Sequence, residues 1–183
     1  MTAHIKNMSE KKEKLIIVGH SGSGKDFLRE QLVNFGLKYN PKFTTRPKRI
    51  NETNGIEYDF IDYDLYVKLH KDGFIKTSEC FNIKGVNWYY GVTIQNWNEN
   101  QVFIMTPSEL AQLSETDRKN CFVVYLKIDE SIREKRILER NDNNDSVKRR
   151  IEADEKDFEF FKNYDLCLTD SEFEPKMVFD LMY

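Results

Sequence analysis

The pattern of apolar and polar positions along the chain predicts short buried strands that alternate with amphipathic helices. Apolar runs at residues 15–18, 102–105 and 121–128 are typical of strands that are buried on both faces. A further core strand is expected at 165–169, and helices are expected after these runs, the first of them over residues 25–35. Strands that alternate with helices predict an α/β fold in which helices cover both faces of a parallel sheet.

The middle of the chain departs from this alternation and predicts a small β-rich insertion. Residues 55–61 alternate apolar and acidic side chains, as a half-buried strand does, and residues 62–69 predict a short amphipathic helix. Residues 74–81 and 88–92 predict two further strands joined by a polar loop. We therefore expect residues 44 to about 93 to form an insertion between two parts of the core.

The expected domain organisation follows from these segments. Residues 14–43 and 94–183 are expected to form the core, and residues 44–93 the insertion. The basic, helix-forming stretch at about 131–150 contains a polar break, which suits a mobile helical lid. Residues 1–13 are polar and rich in lysine, so we expect a flexible tail there.

The strongest chemical signal lies between the first predicted strand and the first predicted helix. There the chain reads Gly19-x-x-x-x-Gly24-Lys25, the pattern of a phosphate-binding loop. Glycines allow successive backbone N–H groups to turn toward an anion, the helix N-terminus adds positive potential, and the lysine supplies a mobile charge. Because strand, loop and helix occur in the required order, the binding of a phosphorylated ligand is favoured over an ordinary glycine-rich turn.

Asp26 occupies the position after the lysine, where this pattern usually has a serine or threonine that helps to hold Mg²⁺. A carboxylate is also a hard oxygen ligand, so Asp26 could hold Mg²⁺ directly or through water. Alternatively, the carboxylate only stabilises the positive end of the helix. The sequence leaves both interpretations open.

A second cluster of chemistry-bearing residues lies in the predicted insertion, where residues 44–60 read TTRPKRINETNGIEYDF. Planar guanidinium groups bind phosphate oxygens in pairs, and a phenol adds a further donor. Taken alone, the segment is more typical of a solvated basic loop. However, its two arginines, acidic residue, glycine and tyrosine are spaced as in the acceptor-binding segment of guanylate kinases, which it resembles. This resemblance implies that Arg46, Arg49 and Tyr58 hold the phosphate of a nucleoside monophosphate.

The resemblance extends from Leu15 to the end of the chain and implies a core of the phosphate-loop NTPase type. It also implies that ATP and Mg²⁺ are used, with Lys25 in a catalytic role and Asp26 at the metal. The residues that it places at ATP are Gly19, His20, Ser21, Gly22, Ser23, Gly24, Lys25, Asp26 and Phe27.

Other segments match the same family. Tyr90 corresponds to a tyrosine that closes the acceptor lobe, although a buried strand aromatic is an equally good interpretation. By resemblance, Arg136, Arg140 and Arg150 are lid arginines, whose charge would stabilise the transferring phosphoryl group. For any single arginine the alternative is an exposed helix with Glu–Arg pairs, and neighbouring arginines are further candidates, namely Arg133 and Arg149.

Several positions that read guanine in that family differ here. Lys76 stands where the resemblance expects a glutamate, and Val92 where it expects a hydroxyl residue, so these two side chains are expected to face the acceptor. The family's acidic pair falls on Met105 and Pro107. Losing a buried hydrogen-bond partner typically costs ~1–3 kcal/mol. Base specificity is therefore left open, and Glu79 could compensate for the lost glutamate only if the register of this segment slips.

Two alternatives share these features. The segments at 22–26 and 89–92 are also similar to those of ribose bisphosphate phosphokinases, whose acceptor has no base. Guanylate kinase-like domains can also serve as protein-recognition units without catalysis. The intact phosphate loop and the retained arginines favour an enzyme. ATP-dependent phosphoryl transfer to a nucleoside monophosphate is therefore our first hypothesis.

The overall composition limits which kinds of partner and which compartment are expected for the protein. A net charge of −3 argues against a partner such as polymeric nucleic acid, whose binders are normally basic. No apolar run has membrane-spanning length, so no membrane association is expected. The cysteines, Cys80, Cys121 and Cys167, are far apart and are expected to be buried, reduced thiols of a cytoplasmic protein. The oligomeric state is not indicated.

Overall fold

The computed structural model describes residues 3–5, 11–83, 85–139 and 154–182. The strands are β1 Ala3–Ile5, β2 Lys14–Gly19, β3 Phe43–Thr44, β4 Asp59–Phe60, β5 Ile75–Ile83, β6 Val86–Thr93, β7 Val102–Ile104, β8 Cys121–Leu126 and β9 Leu166–Leu168. The helices are α1 Lys25–Asn34, α2 Tyr63–Lys71, α3 Ile94–Glu99, α4 Pro107–Ala111, α5 Glu115–Lys119, α6 Glu130–Glu139 and α7 Pro175–Met182. Residues 154–158 form a further helical segment.

The larger sheet has the strand order β1-β9-β8-β2-β7. β2 lies parallel to β7 and β8, and β8 lies parallel to β9. Alternate residues of β2 enter two buried clusters: Leu15 and Ile17 pack with Leu28 of α1, whereas Ile16 and Val18 belong to the second cluster. The predicted α/β fold, a parallel sheet flanked by helices, is confirmed.

The middle of the chain forms a second, four-stranded sheet with the order β4-β3-β6-β5. Thr44 of β3 lies opposite Tyr90 of β6, which lies opposite Glu79 of β5, so these three side chains share one face. α2 covers the other face, where the ring of Tyr66 stacks on Tyr89 at a centroid distance of 4.2 Å. The face that carries Tyr90 is therefore the one that α2 leaves uncovered.

The segment before β4 is a turn, not the first half of a strand. Gly55 has a φ of +82°, and its N–H donates a hydrogen bond of 2.9 Å to the carbonyl oxygen of Tyr58. Ile56 is 63% exposed, although the alternating pattern predicts that it is half-buried. A left-handed glycine interrupts an extended chain, so only Asp59 and Phe60 pair in the sheet.

The hairpin between β5 and β6 is longer than the sequence predicts. Asn82 pairs with Asn87 and Ile83 with Val86, in the segment where a polar loop is expected. Polar residues are tolerated there because the distal part of β5, from Cys80 to Asn82, is exposed. Cys121 and Cys167 are buried as expected, but the expectation of a buried thiol is wrong for Cys80 for the same reason.

The N-terminal segment contains a strand where a flexible tail is expected. Ala3–Ile5 pairs antiparallel with Leu166–Leu168 of β9. The edge of a sheet offers backbone groups that a further strand can pair with, which explains why a polar segment is recruited. Across the described ranges, no helix is both long enough and apolar enough to cross a membrane.

Candidate active site

The phosphate loop connects β2 to α1, in the arrangement that the sequence predicts. Gly22 and Gly24 have φ angles of +76° and +95°, a left-handed conformation that glycine adopts without strain. A Cβ atom at Gly22 would lie 2.6 Å from the backbone oxygen of Arg133 in α6. The loop is therefore packed directly against the helix that carries the predicted lid arginines.

The loop lines a small cavity. Residues 21–26, together with Ile137 of α6, line a cavity of about 130 Å³. The Lys25 ammonium donates hydrogen bonds to the carbonyl oxygens of Gly19, at 2.6 Å, and His20, at 2.8 Å. Phe27, which the resemblance places at ATP, is 51% exposed, with its ring centroid 6.2 Å from that of Phe173.

His20 packs the phosphate loop against the helical segment at 154–158. Its ring stacks on Phe158 at a centroid distance of 4.2 Å. Burial and the nearby charge of Arg133 lower the pKa of His20 to about 4. The backbone N–H of Ser21 donates a hydrogen bond of 2.5 Å to Oδ2 of Asp154. The helical segment at 154–158 therefore also holds the loop in place.

Asp26 is the one carboxylate that lines this pocket among the described residues. Its side chain is 58% exposed and lies 3.8 Å from the guanidinium of Arg29. The described part of the chain contains no cluster of three or more His, Cys, Asp or Glu residues that could hold a metal by itself. Mg²⁺ that arrives on nucleotide phosphates needs only one or two protein carboxylates. Asp26 is therefore a chemically adequate ligand.

Of the three predicted lid arginines, the structure describes one. Arg136 donates hydrogen bonds to the carbonyl oxygens of Gly22, at 3.3 Å, and Ser171, at 3.5 Å. It therefore lies at the mouth of the phosphate loop. Arg140 and Arg150 lie outside the described residues. The neighbouring candidate Arg133 is buried, and its Nε donates to a backbone carbonyl oxygen.

The predicted acceptor residues form a second cluster on the small sheet. Arg46 is only 6% exposed, and its guanidinium binds the Glu52 carboxylate through two hydrogen bonds of 2.6 and 2.5 Å. The guanidinium carbon lies 5.3 Å from the ring centroid of Tyr58, which is 5.6 Å from that of Tyr90. The structure therefore brings Arg46, Tyr58 and Tyr90 together.

Glu52 links the two acceptor arginines. Its carboxylate also accepts a hydrogen bond of 2.8 Å from the backbone N–H of Arg49. These hydrogen bonds, chiefly those from Arg46, hold the pKa of Glu52 below its usual value. Hydrogen bonds within the described residues use three of the five guanidinium N–H donors of Arg46. A positioned guanidinium can thus receive a phosphate.

The two clusters lie near each other in the fold. Burial raises the pKa of Tyr58, whose hydroxyl interacts electrostatically both with Arg46 and with Asp26 of the phosphate loop. Tyr39 is near both clusters, with the Arg29 guanidinium 4.8 Å from its ring centroid. The pKa of Tyr39 is raised by burial, and its hydroxyl interacts with Asp26 and Tyr58.

Two predicted acceptor residues are directed elsewhere. The register of β5 against β6 shifts between Ile75 and Thr77, a β-bulge at Lys76. The Lys76 ammonium binds the carboxylate of Asp117 at 2.6 Å. Val92 is fully buried in the core. Neither residue therefore supplies a contact to the Arg46 cluster, and their assignment to the acceptor gains no support.

A third group of polar residues lies near the acceptor cluster, and of its members sequence reasoning raised only Glu79. The Lys42 ammonium donates a hydrogen bond of 2.6 Å to the carboxylate of Glu109, which is fully buried. Glu79 lies near both. The Thr106-Pro-Ser-Glu109 pattern does predict the observed capping box of α4. Its contact with Lys42 joins residues that are 67 positions apart and has no sequence signature.

Comparison with known proteins agrees with this geometry. The family model described as guanylate kinase matches residues 11–179. The chain belongs to the guanylate kinase family. A guanylate kinase of Mycoplasma genitalium is 32% identical over 173 residues, which cover 87% of this chain and 69% of that protein. A guanylate kinase of Malacoplasma penetrans is 27% identical over 177 residues, which cover 88% of each chain.

The fold is shared with a solved structure of the same family. The crystal structure of guanylate kinase from Anaplasma phagocytophilum superposes with a TM-score of 0.66 at 16% identity, over 97% of this chain and 86% of that one. Membership of the guanylate kinase family supports a nucleoside monophosphate kinase activity.

Proposed function

We propose that the protein transfers the γ-phosphoryl group of ATP to the phosphate of a nucleoside monophosphate. ATP would bind with its phosphates in the loop at residues 19–25, where left-handed glycines and the helix N-terminus form an anion pocket. Lys25 would exchange its hydrogen bonds to loop carbonyls for bonds to the outer phosphates. Family membership and the geometry of the loop both support this assignment.

The acceptor would bind against the small sheet. Arg46 and Tyr58 are held side by side, and Arg49 is tied to the same carboxylate as Arg46. Guanidinium and phenol groups together suit a phosphate monoester. Tyr90 lies beside Tyr58 and would complete the wall of this subsite.

The reaction then needs no nucleophilic side chain. An oxygen of the acceptor phosphate attacks the γ-phosphorus, the bond to the β–γ bridging oxygen breaks, and ADP and a nucleoside diphosphate are formed. Lys25 and Arg136 would stabilise the charge of the transferred group, and Arg140 and Arg150 are proposed to join them when the lid closes. Mg²⁺, held by Asp26 together with phosphate oxygens and water, would neutralise charge on the phosphates.

The observation that carries this proposal is that the loop at residues 19–25 and the Arg46 cluster lie near each other. Asp26 at the end of the phosphate loop and Arg46 in the acceptor cluster both act electrostatically on the hydroxyl of Tyr58. A protein that only bound ATP would not need a second arginine cluster at that position. Such a pairing is the arrangement that phosphoryl transfer between two phosphates requires.

The test is a coupled assay of ADP formation with ATP, Mg²⁺ and each common ribo- and deoxyribonucleoside monophosphate, with ribose bisphosphate as a separate acceptor. We expect turnover with at least one monophosphate and a loss of about 100-fold or more in Lys25→Met. Turnover with ribose bisphosphate alone would replace the proposed acceptor class. No turnover with any acceptor, despite tight binding of ATP and Mg²⁺, would indicate a binding module instead.

A further inference from the structure

The long hairpin of the small sheet leaves one strand edge open. β5 is the last strand in the order β4-β3-β6-β5, so only one of its two sides is paired with another strand. An unpaired edge presents a row of backbone N–H and C=O groups that a further extended chain can bind. The distal part of β5, from Cys80 to Asn82, is exposed, and its edge is therefore accessible.

Gln112 shows which backbone groups point outward from this edge. Its side-chain amide accepts a hydrogen bond of 3.0 Å from the backbone N–H of Ser78 and donates one of 3.0 Å to the carbonyl oxygen of Ser78. Because backbone groups point alternately to the two sides of a strand, those of Cys80 and Asn82 point to the same outer side. Among the described residues, no backbone group pairs with them there. Gln112 therefore takes the place of a neighbouring strand at one residue only.

Exposed apolar side chains lie beside these outward backbone groups. Phe81 and Val86 are 39% and 55% exposed. The register of β5 against β6 places both on one face of the hairpin, together with Ile83 and Trp88. Exposed edge strands commonly carry a charge or a proline that prevents further pairing. Residues 80–83 contain neither, so this edge lacks that protection.

We propose that the outer edge of β5 binds the same edge of a second copy of this chain, antiparallel and around a two-fold axis at Phe81. In that register, Cys80 of one copy lies opposite Asn82 of the other. Each such pair exchanges two backbone hydrogen bonds, which gives four in all. Gln112 already binds the outer groups of Ser78, so it ends the pairing on both sides. This interface goes beyond the proposed function and does not depend on it.

The distribution of charge favours a second copy in this register. Glu79 lies opposite Ile83 of the other copy, so no like charges meet across the new pair of strands. The two Phe81 rings lie opposite each other at a non-hydrogen-bonded position, where cross-strand side chains are closest. Because only two pairs of residues exchange hydrogen bonds, we expect an interface of roughly 1,200 Å² in total and a dissociation constant in the micromolar range.

Sedimentation equilibrium measures this association, with a thiol reductant present so that no intermolecular disulfide contributes. The wild type should show a monomer–dimer equilibrium. Phe81→Lys brings two ammonium groups together at the two-fold axis and should raise the dissociation constant by about tenfold or more. Val67→Lys makes the same change at an exposed apolar residue of α2 and should leave the dissociation constant unchanged. Thermal unfolding should show that both variants are folded.

Amide hydrogen exchange followed by NMR tests the register. The amides of Cys80 and Asn82 should become protected as the protein concentration rises. The amide of Phe81 points toward β6 and should be protected at every concentration. Cys80→Pro removes one outer N–H group, a change that an edge strand tolerates, and should abolish the dimer. Cys80→Thr keeps that N–H group and should associate like the wild type.

Two kinds of result would overturn the proposed interface. A wild type that stays monomeric well above the micromolar range would leave this edge to an extended peptide of another protein. A dimer that folded Phe81→Lys does not weaken, or one that leaves the amides of Cys80 and Asn82 unprotected, would associate through another surface. Neither result bears on phosphoryl transfer, which the turnover assay tests separately.

Discussion

Arg46 shows why the type of cation matters in this site. Its guanidinium is buried, binds both oxygens of Glu52 and lies over the ring of Tyr58. Those contacts need a planar group with several donors in fixed directions. The phosphate-binding potential of the residue therefore depends on a geometry that a lysine ammonium does not share.

Replacing Arg46 with lysine should separate acceptor binding from ATP binding. The charge stays, but the paired hydrogen bonds to Glu52 and the fixed orientation are lost. We expect the KM of the acceptor to rise by about tenfold or more, with little change in the KM of ATP, in steady-state assays that vary each substrate. The exposed neighbour Lys48 provides the control, because Lys48→Met should change neither constant. An equal rise in both KM values for Arg46→Lys would contradict the assignment.

The phosphate loop illustrates how an element is defined by its neighbours. Gly22 needs its left-handed φ, and it also needs the absence of a side chain because α6 packs against it. Gly73, at the end of α2, has a similar φ of +74° but open space around the position of a Cβ atom. The two glycines therefore separate backbone strain from steric contact.

Gly22→Ala should lose more stability than Gly73→Ala. An alanine at positive φ costs about 1 kcal/mol from backbone strain at either site. Only at position 22 does the new methyl group also meet backbone atoms of Arg133, the nearest of them at 2.6 Å. Urea unfolding of both variants should show the larger loss, beyond about 1 kcal/mol, for Gly22→Ala. Equal losses in the free energy of unfolding would mean that α6 moves away from the new methyl group without an energetic penalty. Its packing would then not determine the conformation of the loop.

Local sequence patterns predict some of these elements and cannot predict others. The apolar runs of β2, β7 and β8 and the loop from Gly19 to Lys25 can be recognised because each is a contiguous stretch of the sequence. The bulge at Lys76 adds a residue without any composition signal, so counting along the chain assigns base recognition to Lys76 and Val92. The turn at Gly55 is likewise not predicted, because the residues around it alternate between apolar and acidic as they would in a strand. The Lys42–Glu109 pair depends on a long-range contact that no local pattern encodes.

Acid sensitivity of the whole molecule should depend on His20. This ring is buried against Phe158, and the charges of Arg133, Lys25 and Lys127 disfavour its protonation, whereas Asp154 favours it. Its pKa of about 4 in the folded protein lies below the ordinary value of 6.5. The unfolded chain therefore binds more protons between these two pH values. The folded state consequently loses stability as the pH falls from about 6.5 toward 4.

His20→Gln should flatten this dependence. The slope attributable to one such group is at most about 1.4 kcal/mol per pH unit. The difference between the free energies of unfolding at pH 7 and at pH 5, both measured in urea, should be smaller in His20→Gln than in the wild type. The matched variant His70→Gln changes an exposed histidine of α2 and should retain the wild-type difference. If His20→Gln kept the same difference between pH 7 and pH 5 as the wild type, the His20 ring would not be held neutral in the folded protein.

The most direct test of the two-site arrangement is the affinity of a ligand that occupies both sites at once. Adenosine and guanosine joined through their 5′ oxygens by five phosphates would span the phosphate loop and the Arg46 cluster. If the sites face one cleft, this compound should bind more than about 100-fold tighter than ATP or GMP alone in isothermal titration, and Lys25→Met and Arg46→Lys should each weaken it. Binding no tighter than that of ATP, and unaffected by Arg46→Lys, would show that the two clusters do not form one active site.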